Sequence, residues 1–352
     1  MTASLVIAPQ WIGDAVMTEP LLRRLHARGE RLTVGALPWV APVYRAMACV
    51  DEVIEFPFAH GGLQFRARRS IARQLQGCFE VAYVLPNSLK SALLPWLADI
   101  PKRVGYLGES RVGLLTHRLK NLKNRPPMVA FYSALSGDTD VAHDVPQLQV
   151  PAPEVSAVLS KLGLAPHSYV VMVPGAEYGP AKRWPTQHFA ALATALLSGE
   201  AHASANATNN IAASPVSAVL LLGSGKESEI CASIAADVVQ PSCGARLLNL
   251  AGSTSLDEAM ALIAGARQVV SNDTGLMHVA AALHVPQVAM FGSSSPEHTP
   301  PLSDVATVIW LKNDAQYHPP LDCAPCFERD CPLGHLRCLN DITPQRVLAA
   351  LA

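Results

Sequence analysis

Short aliphatic and β-branched runs recur along almost the whole chain, each followed by a stretch of helical period. "SLVIAP", "RLTVGAL", "DEVIEF" and "EVAYVLP" come first, then "SYVVMVPG", "AVLLLGSG", "ARLLNLAG", "ARQVVSND" and "VPQVAMFG". Runs that are apolar throughout belong to strands covered on both faces, and a helix between successive strands allows them to pair in parallel. The rhythm therefore predicts an α/β chain built from doubly wound, Rossmann-like sheets. It lapses near residues 136–152, "SGDTDVAHDVPQLQVPA", and then restarts. A chain of 352 residues exceeds one typical core, so two domains are expected, 1–150 and 151–352. Ligands of such domains bind at the carboxyl ends of the strands, with the main cleft expected between the halves.

Within this frame, the first strand predicts a helix from about Asp14 to Ala27. Residues 198–215 are small and polar without period, and read as a flexible surface insertion. "ITPQRVLAALA" predicts a C-terminal helix over about 343–351, with Thr343 as cap and Pro344 in first place. No run near 18 apolar residues occurs and no basic leader opens the chain, which points to a cytoplasmic protein.

Charge is unevenly spread. Residues 1–150 hold 17 Lys/Arg against 12 Asp/Glu, and the remainder 10 against 16, so +5 faces −6 within a net −1. A basic first half suits an anionic partner. Basic residues are not interleaved with aromatics, which excludes nucleic acid as the expected partner. Of eight cysteines, Cys49, Cys78, Cys231 and Cys243 are scattered and read as small core residues. Cys323, Cys326, Cys331 and Cys338 lie in a Cys-rich loop, 318–340, spaced C-x2-C-x4-C-x6-C, a pattern suited to a structural zinc.

Three strand-end motifs carry chemistry. In "IAPQWIGDAVMTEP", Gly13 and Asp14 open the first helix; Asp14 is either a first-turn acid or a general base. In "VPGAEYGPAKRWP", Gly175 and Gly179 allow close backbone approach, and Lys182 beside a helix start is awkward unless an anion offsets it. In "SNDTGLMHVAAAL", Asp273 could cap a helix whose free N–H groups at Thr274 and Gly275 suit a diphosphate, with His278 one turn further in. "GSGKES" lacks the earlier glycine and the Ser/Thr of a P-loop and fails GxGxxG, and the single Asp-Thr-Gly leads into a helix, unlike an aspartic protease.

Taken together, "GDAVMTEPLLRRL", "PNSLKSALLPWLADIPKRVGY", "PGAEYGPAKRWP", "NDTGLMHVAAAL" and "SSPEHTPPLS" resemble the lipopolysaccharide ADP-heptose heptosyltransferase family, closest to its type II members. The resemblance runs in order along nearly the whole chain. It implies the GT-B fold, two Rossmann-like domains facing a central cleft, with acceptor on the first and nucleotide sugar on the second. It implies inverting transfer of L-glycero-D-manno-heptose from ADP-heptose to Kdo-lipid A carrying one heptose, with peripheral contact at the inner membrane. On that resemblance Asp14 is the base and Lys182 assists the departing ADP. Asp273, Thr274 and Gly275 bind the donor, and Glu227 meets its ribose. Candidate acceptor residues are Gly13, Asn87, Ser88, Lys90 and Arg103, with Arg66, Arg68, Arg69, Lys102 and Arg111 as further basic groups. Without a DxD-type metal pair, no cofactor is expected for catalysis. A type I or III heptosyltransferase, a GT-B epimerase and a non-enzymatic nucleotide-binding module remain as alternatives.

Overall fold

The structure, a computed structural model, describes residues 2–59, 62–121, 126–138, 140, 144–199, 216–239 and 244–351. It divides into two compact units, Met1–Gln149 and Val150–Ala352.

Unit 1 holds β1 (Thr2–Ile7), β2 (Glu30–Ala36), β3 (Glu52–Glu55), β4 (Val81–Val84), β5 (Lys102–Tyr106) and β6 (His117–Leu119). They pair in the order β3-β2-β1-β4-β5-β6, all parallel. Unit 2 holds β7 (Tyr169–Val173), β8 (Ala218–Leu221), β9 (Arg246–Asn249), β10 (Gln268–Asn272), β11 (Gln287–Met290) and β12 (Ala306–Ile309). Their order, β12-β11-β10-β7-β8-β9, is the same arrangement, again all parallel. Both sheets thus have the doubly wound dinucleotide-fold order. The nine apolar runs all became strands. The sequence reading passed over β5, β6 and β12, whose "KRVGY", "HRL" and "ATVI" mix charge or exposure into the strand.

Each sheet is buried on both faces. Leu5, Ile7, Ala82 and Val84 pack with Leu94 and Ile100 in unit 1; Val170, Met172, Trp184, Phe189 and Leu221 form the core of unit 2. Of the scattered cysteines, Cys49 and Cys231 are buried as expected, whereas Cys78 is exposed; Cys243 lies outside the described residues.

Two local differences have clear causes. The first helix is two, Ile12–Met17 and Glu19–Ala27, broken at Thr18. Pro20 cannot donate to the preceding turn, and the Thr18 hydroxyl turns back to the Ala15 carbonyl at 2.6 Å. In unit 2 the helix Thr186–Ser198 stops at Gly199, whose φ of 77° is a left-handed cap. The rest of the expected insertion, from residue 200 to 215, lies outside the described residues. The C-terminal helix, Pro344–Ala350, starts as expected, with Thr343 accepting from the Arg346 N–H.

Glu19 is nearly inaccessible, 3% exposed, and accepts from the Gln147 N–H at 3.0 Å. Burial pushes its carboxyl up from 4.5 to about 7. A folded-state value above the unfolded one contributes stability below pH 4.5 that is lost as the pH rises through 7. Glu19→Gln is therefore expected to raise the melting temperature at pH 8, by the equivalent of ~2–3 kcal/mol, and to change little at pH 4.5. Thermal denaturation at the two pH values reads this directly; an equal effect at both refutes it.

Candidate functional site

A doubly wound sheet binds ligands where its strand order reverses, outside the carboxyl ends of the two strands flanking the reversal. In unit 1 those strands are β1 and β4; in unit 2 they are β7 and β10. The segments leaving them carry Asp14, then Asn87 and Ser88, then Lys182, then Asp273 and Thr274. Within each unit the residues picked out by sequence therefore fall on both sides of the reversal.

In unit 1, Asp14 is half-buried in the first turn of its helix, next to Gly13 and after the N-cap Trp11. The Tyr132 hydroxyl donates to Asp14 Oδ1 at 2.7 Å. Tyr132 is 4% exposed, on the helix Met128–Ser133, and its ring meets Phe131, which stacks on Tyr106. The phenol is thus fixed, and it fixes one carboxylate oxygen. Sequence reading missed Tyr132, because nothing local marks a residue 118 positions from its partner. It also passed over two indoles at strand ends. Trp11 follows β1 and is 50% exposed; Trp39 follows β2, is 44% exposed and donates to the Gln10 carbonyl at 2.9 Å.

After β4, Ser88 is the extended N-cap residue of the helix Leu89–Leu97, Lys90 sits in its first turn, and the Glu109 carboxylate accepts from the Leu89 N–H at 2.8 Å. The Asn87 side chain accepts from Arg111 Nη2 at 3.0 Å. Arg111 is fully buried and also donates to the carbonyls of Tyr106 and Pro86. Arg103 likewise turns inward, donating to the carbonyls of Leu114 at 2.6 Å and of Ile100. Arg68, 6% exposed, donates to the Leu63 carbonyl and lies over the Phe58 ring. These three guanidiniums, candidates for the acceptor in the sequence, are each turned onto backbone carbonyls of their own unit, at loops and at the end of β5.

In unit 2, Lys182 Nζ donates to Asp273 Oδ2 at 2.5 Å, with side-chain exposures of 19% and 7%. The ammonium also lies 5.3 Å from the Tyr178 ring centre. Asn272 couples the two strand ends, accepting from the Trp184 N–H at 3.0 Å and donating to the Pro174 carbonyl at 2.7 Å. Asp273 does not cap the next helix, Gly275–Ala282; Thr274 does, its hydroxyl accepting from the Leu276 N–H. This leaves the Asp273 carboxylate for the lysine. His278, buried behind the pair, is pushed down to about 4 by burial, with Lys182 adding to the effect, so it is neutral at neutral pH.

Two glycines are required by close approach. A Cβ on Gly175 would stand 2.1 Å from the Glu227 carboxylate, and one on Gly179 would stand 2.5 Å from the Arg329 carbonyl. Glu227 is itself held by a capping box, accepting from the Ser224 N–H at 2.6 Å. At the end of β11 the buried hydroxyls of Ser293 and Ser294 have no partner among the described residues, a feature of "FGSSS" that sequence reading passed over.

Chemically, unit 1 offers one oriented carboxylate able to take a proton. Unit 2 offers a cation held by a carboxylate beside the positive end of a helix, an arrangement suited to a diphosphate.

A profile of glycosyltransferase family 9 (heptosyltransferase) matches residues 68–337. Lipopolysaccharide heptosyltransferase 2 of Escherichia coli K12 is 41% identical over 361 residues, covering 99% of this chain and 97% of the relative. Lipooligosaccharide heptosyltransferase 2 of Haemophilus influenzae is 36% identical with the same coverage. Among solved structures, that of E. coli ADP-heptose lipopolysaccharide heptosyltransferase II superposes with a TM-score of 0.80 at 39% identity, covering all of this chain and 97% of the other.

Proposed function

The chain belongs to glycosyltransferase family 9, the heptosyltransferases, and from this we infer that it is a type II enzyme, moving heptose from ADP-heptose to a lipopolysaccharide inner core that already carries one heptose. The likeness to type II relatives over 99% of the chain carries this reading. The site chemistry supports it. In the proposed reaction Asp14 accepts the proton of the attacking acceptor hydroxyl, while Lys182 and the Thr274–Gly275 helix start take up the charge of the departing ADP. Inversion follows from attack on the face of the heptose opposite the diphosphate. Asp273 positions Lys182 before the donor arrives, and Glu227, held by its own turn, is assigned to the donor ribose. Gly13, Asn87, Ser88 and Lys90 are assigned to the acceptor.

One assay tests the type and the partners together. ADP-heptose is supplied with Kdo-lipid A acceptors carrying zero, one or two heptoses, in detergent and in anionic vesicles. Extension of the one-heptose acceptor alone is expected; preference for the heptose-free acceptor would reassign the type and keep the class. Omitting Mg2+ is expected to leave the rate unchanged, because Lys182 and the helix start supply the positive charge; a strict Mg2+ requirement refutes that role. No helix of the described residues is long and apolar enough to cross a membrane. Contact with the cytoplasmic face of the inner membrane is accordingly proposed as peripheral, and co-sedimentation with the vesicles checks it.

Tyr132 acts on the same reaction through Asp14. A phenol donating to a carboxylate favours its ionised form and fixes its direction. Tyr132→Phe is expected to lower kcat about tenfold and to move the acidic limb of the pH–rate profile upward, as the loss of one hydrogen bond to a charged group implies. An unmoved limb would leave Tyr132 as packing only.

A further inference from the structure

We propose that Cys323, Cys326, Cys331 and Cys338 form a tetrathiolate site for one thiophilic metal ion, zinc or iron, that fastens the Cys-rich loop onto the turn bearing Lys182.

All four cysteines line one cavity of about 20 Å3, room for a single water-sized occupant. Cys331 heads a tight turn, "CPLG", closed by the Gly334 N–H on the Cys331 carbonyl at 3.1 Å, with Gly334 at φ 70°. None of the four is in a disulfide.

The sulfurs surround the cavity without yet closing on it. Among the described residues no three His, Cys, Asp or Glu side chains stand at metal-holding spacing. Binding would therefore draw the four sulfurs to about 2.3 Å from the ion, releasing the thiol protons to solvent. From residue 314 to 336 the segment has neither helix nor strand, so no helical or sheet hydrogen bonds would have to break for the sulfurs to close.

What the ion would hold is visible in the hydrogen bonds leaving the loop. The Arg329 carbonyl accepts from the Ala181 N–H at 3.0 Å, next to Lys182. The Phe327 carbonyl accepts from the Tyr178 hydroxyl at 2.7 Å, and the Phe327 N–H donates to the Ser293 carbonyl at 2.7 Å. Ala181, Gly292 and Ser293 line the cavity with the cysteines. The site is thus structural in role and sits directly behind the cation of the donor site. That last link rests on the reading of Lys182 given above; the metal site itself does not.

The test uses the full chain, purified reduced and without chelators. Elemental analysis is expected to find about one zinc or iron per chain, as a single tetrahedral site requires. After stripping under reducing conditions, Co2+ titration is expected to produce thiolate-to-metal charge-transfer absorption saturating near one equivalent, and zinc to restore the melting temperature. Visible absorption of the untreated protein separates an iron–thiolate from colourless zinc. Cys331→Ser with Cys338→Ser is expected to abolish both metal content and the cobalt spectrum. Reduced wild-type chain that takes up no zinc, iron or cobalt, with all four thiols equally reactive in the presence and absence of metal, overturns the proposal; so does a disulfide within the cluster. None of these readouts depends on glycosyl transfer.

Discussion

Asp14→Ala is expected to lower kcat by ~10²–10⁴-fold, the range supplied by a positioned general base, while ADP-heptose binds as before. Asp14 belongs to unit 1 and the proposed donor residues to unit 2, so on the proposed reaction the substitution removes the base and none of the donor residues. The fold should survive it. Asp14 is half-buried in a first helical turn, and replacing it forfeits a dipole contribution of under ~1 kcal/mol and the Tyr132 hydrogen bond. Single-turnover kinetics with calorimetry of donor binding reads both quantities. Full turnover in Asp14→Ala would remove the base from this position, and lost donor binding would show that the residue acts on the nucleotide sugar. A non-enzymatic nucleotide-binding module has no use for Asp14, so the same experiment separates that alternative.

Lys182→Met is expected to lower kcat/KM by ~10²–10³-fold, since the variant loses the side-chain cation proposed to meet the leaving group. Here a stability effect must be separated. Lys182 and Asp273 are both largely buried, and removing one partner leaves the Asp273 carboxylate, 7% exposed, without its counter-ion at a cost of about a few kcal/mol. The single variant should therefore also melt earlier. Lys182→Met combined with Asp273→Asn removes both charges, and is expected to recover most of the melting temperature and none of the activity. Recovery of activity in the double variant would reduce Lys182 to a structural partner of Asp273. His278 serves as an internal control: it is neutral through burial, and nothing in the pair's removal adds a charge beside it.

The elements that local sequence determines are those whose reasons lie within a few residues. The buried strands announce themselves as unbroken aliphatic runs, and the C-terminal helix by Thr343 and Pro344 at its start. Pro20 was equally visible, yet its consequence, a break at Thr18, was outweighed by the helical period around it. The strand-end positions of Asp14, Lys182 and Asp273 were legible because a doubly wound sheet places its sites after its strands, and the strands were legible.

The basic residues of unit 1 were not separable in this way. Arg66 and Arg69 are exposed, while Arg68 between them is buried on a backbone carbonyl, and Arg103 and Arg111 donate to backbone carbonyls of their own unit. A guanidinium carries no local sign of whether it will meet a ligand or a carbonyl; the backbone left unpaired by the fold decides.

Alternation of apolar runs and helices, read with the turn residues between them, sufficed to establish two doubly wound units and the strand ends at which Asp14, Lys182 and Asp273 stand. Only the tertiary structure joined Tyr132 to Asp14 across 118 residues and Lys182 to Asp273 across 91, capped the donor helix with Thr274, and laid the Arg329 carbonyl against Gly179. The physical reason is range. Periodicity and capping act between neighbours in the chain, whereas ion pairs and buried hydrogen bonds form between whatever groups the packed sheets bring together.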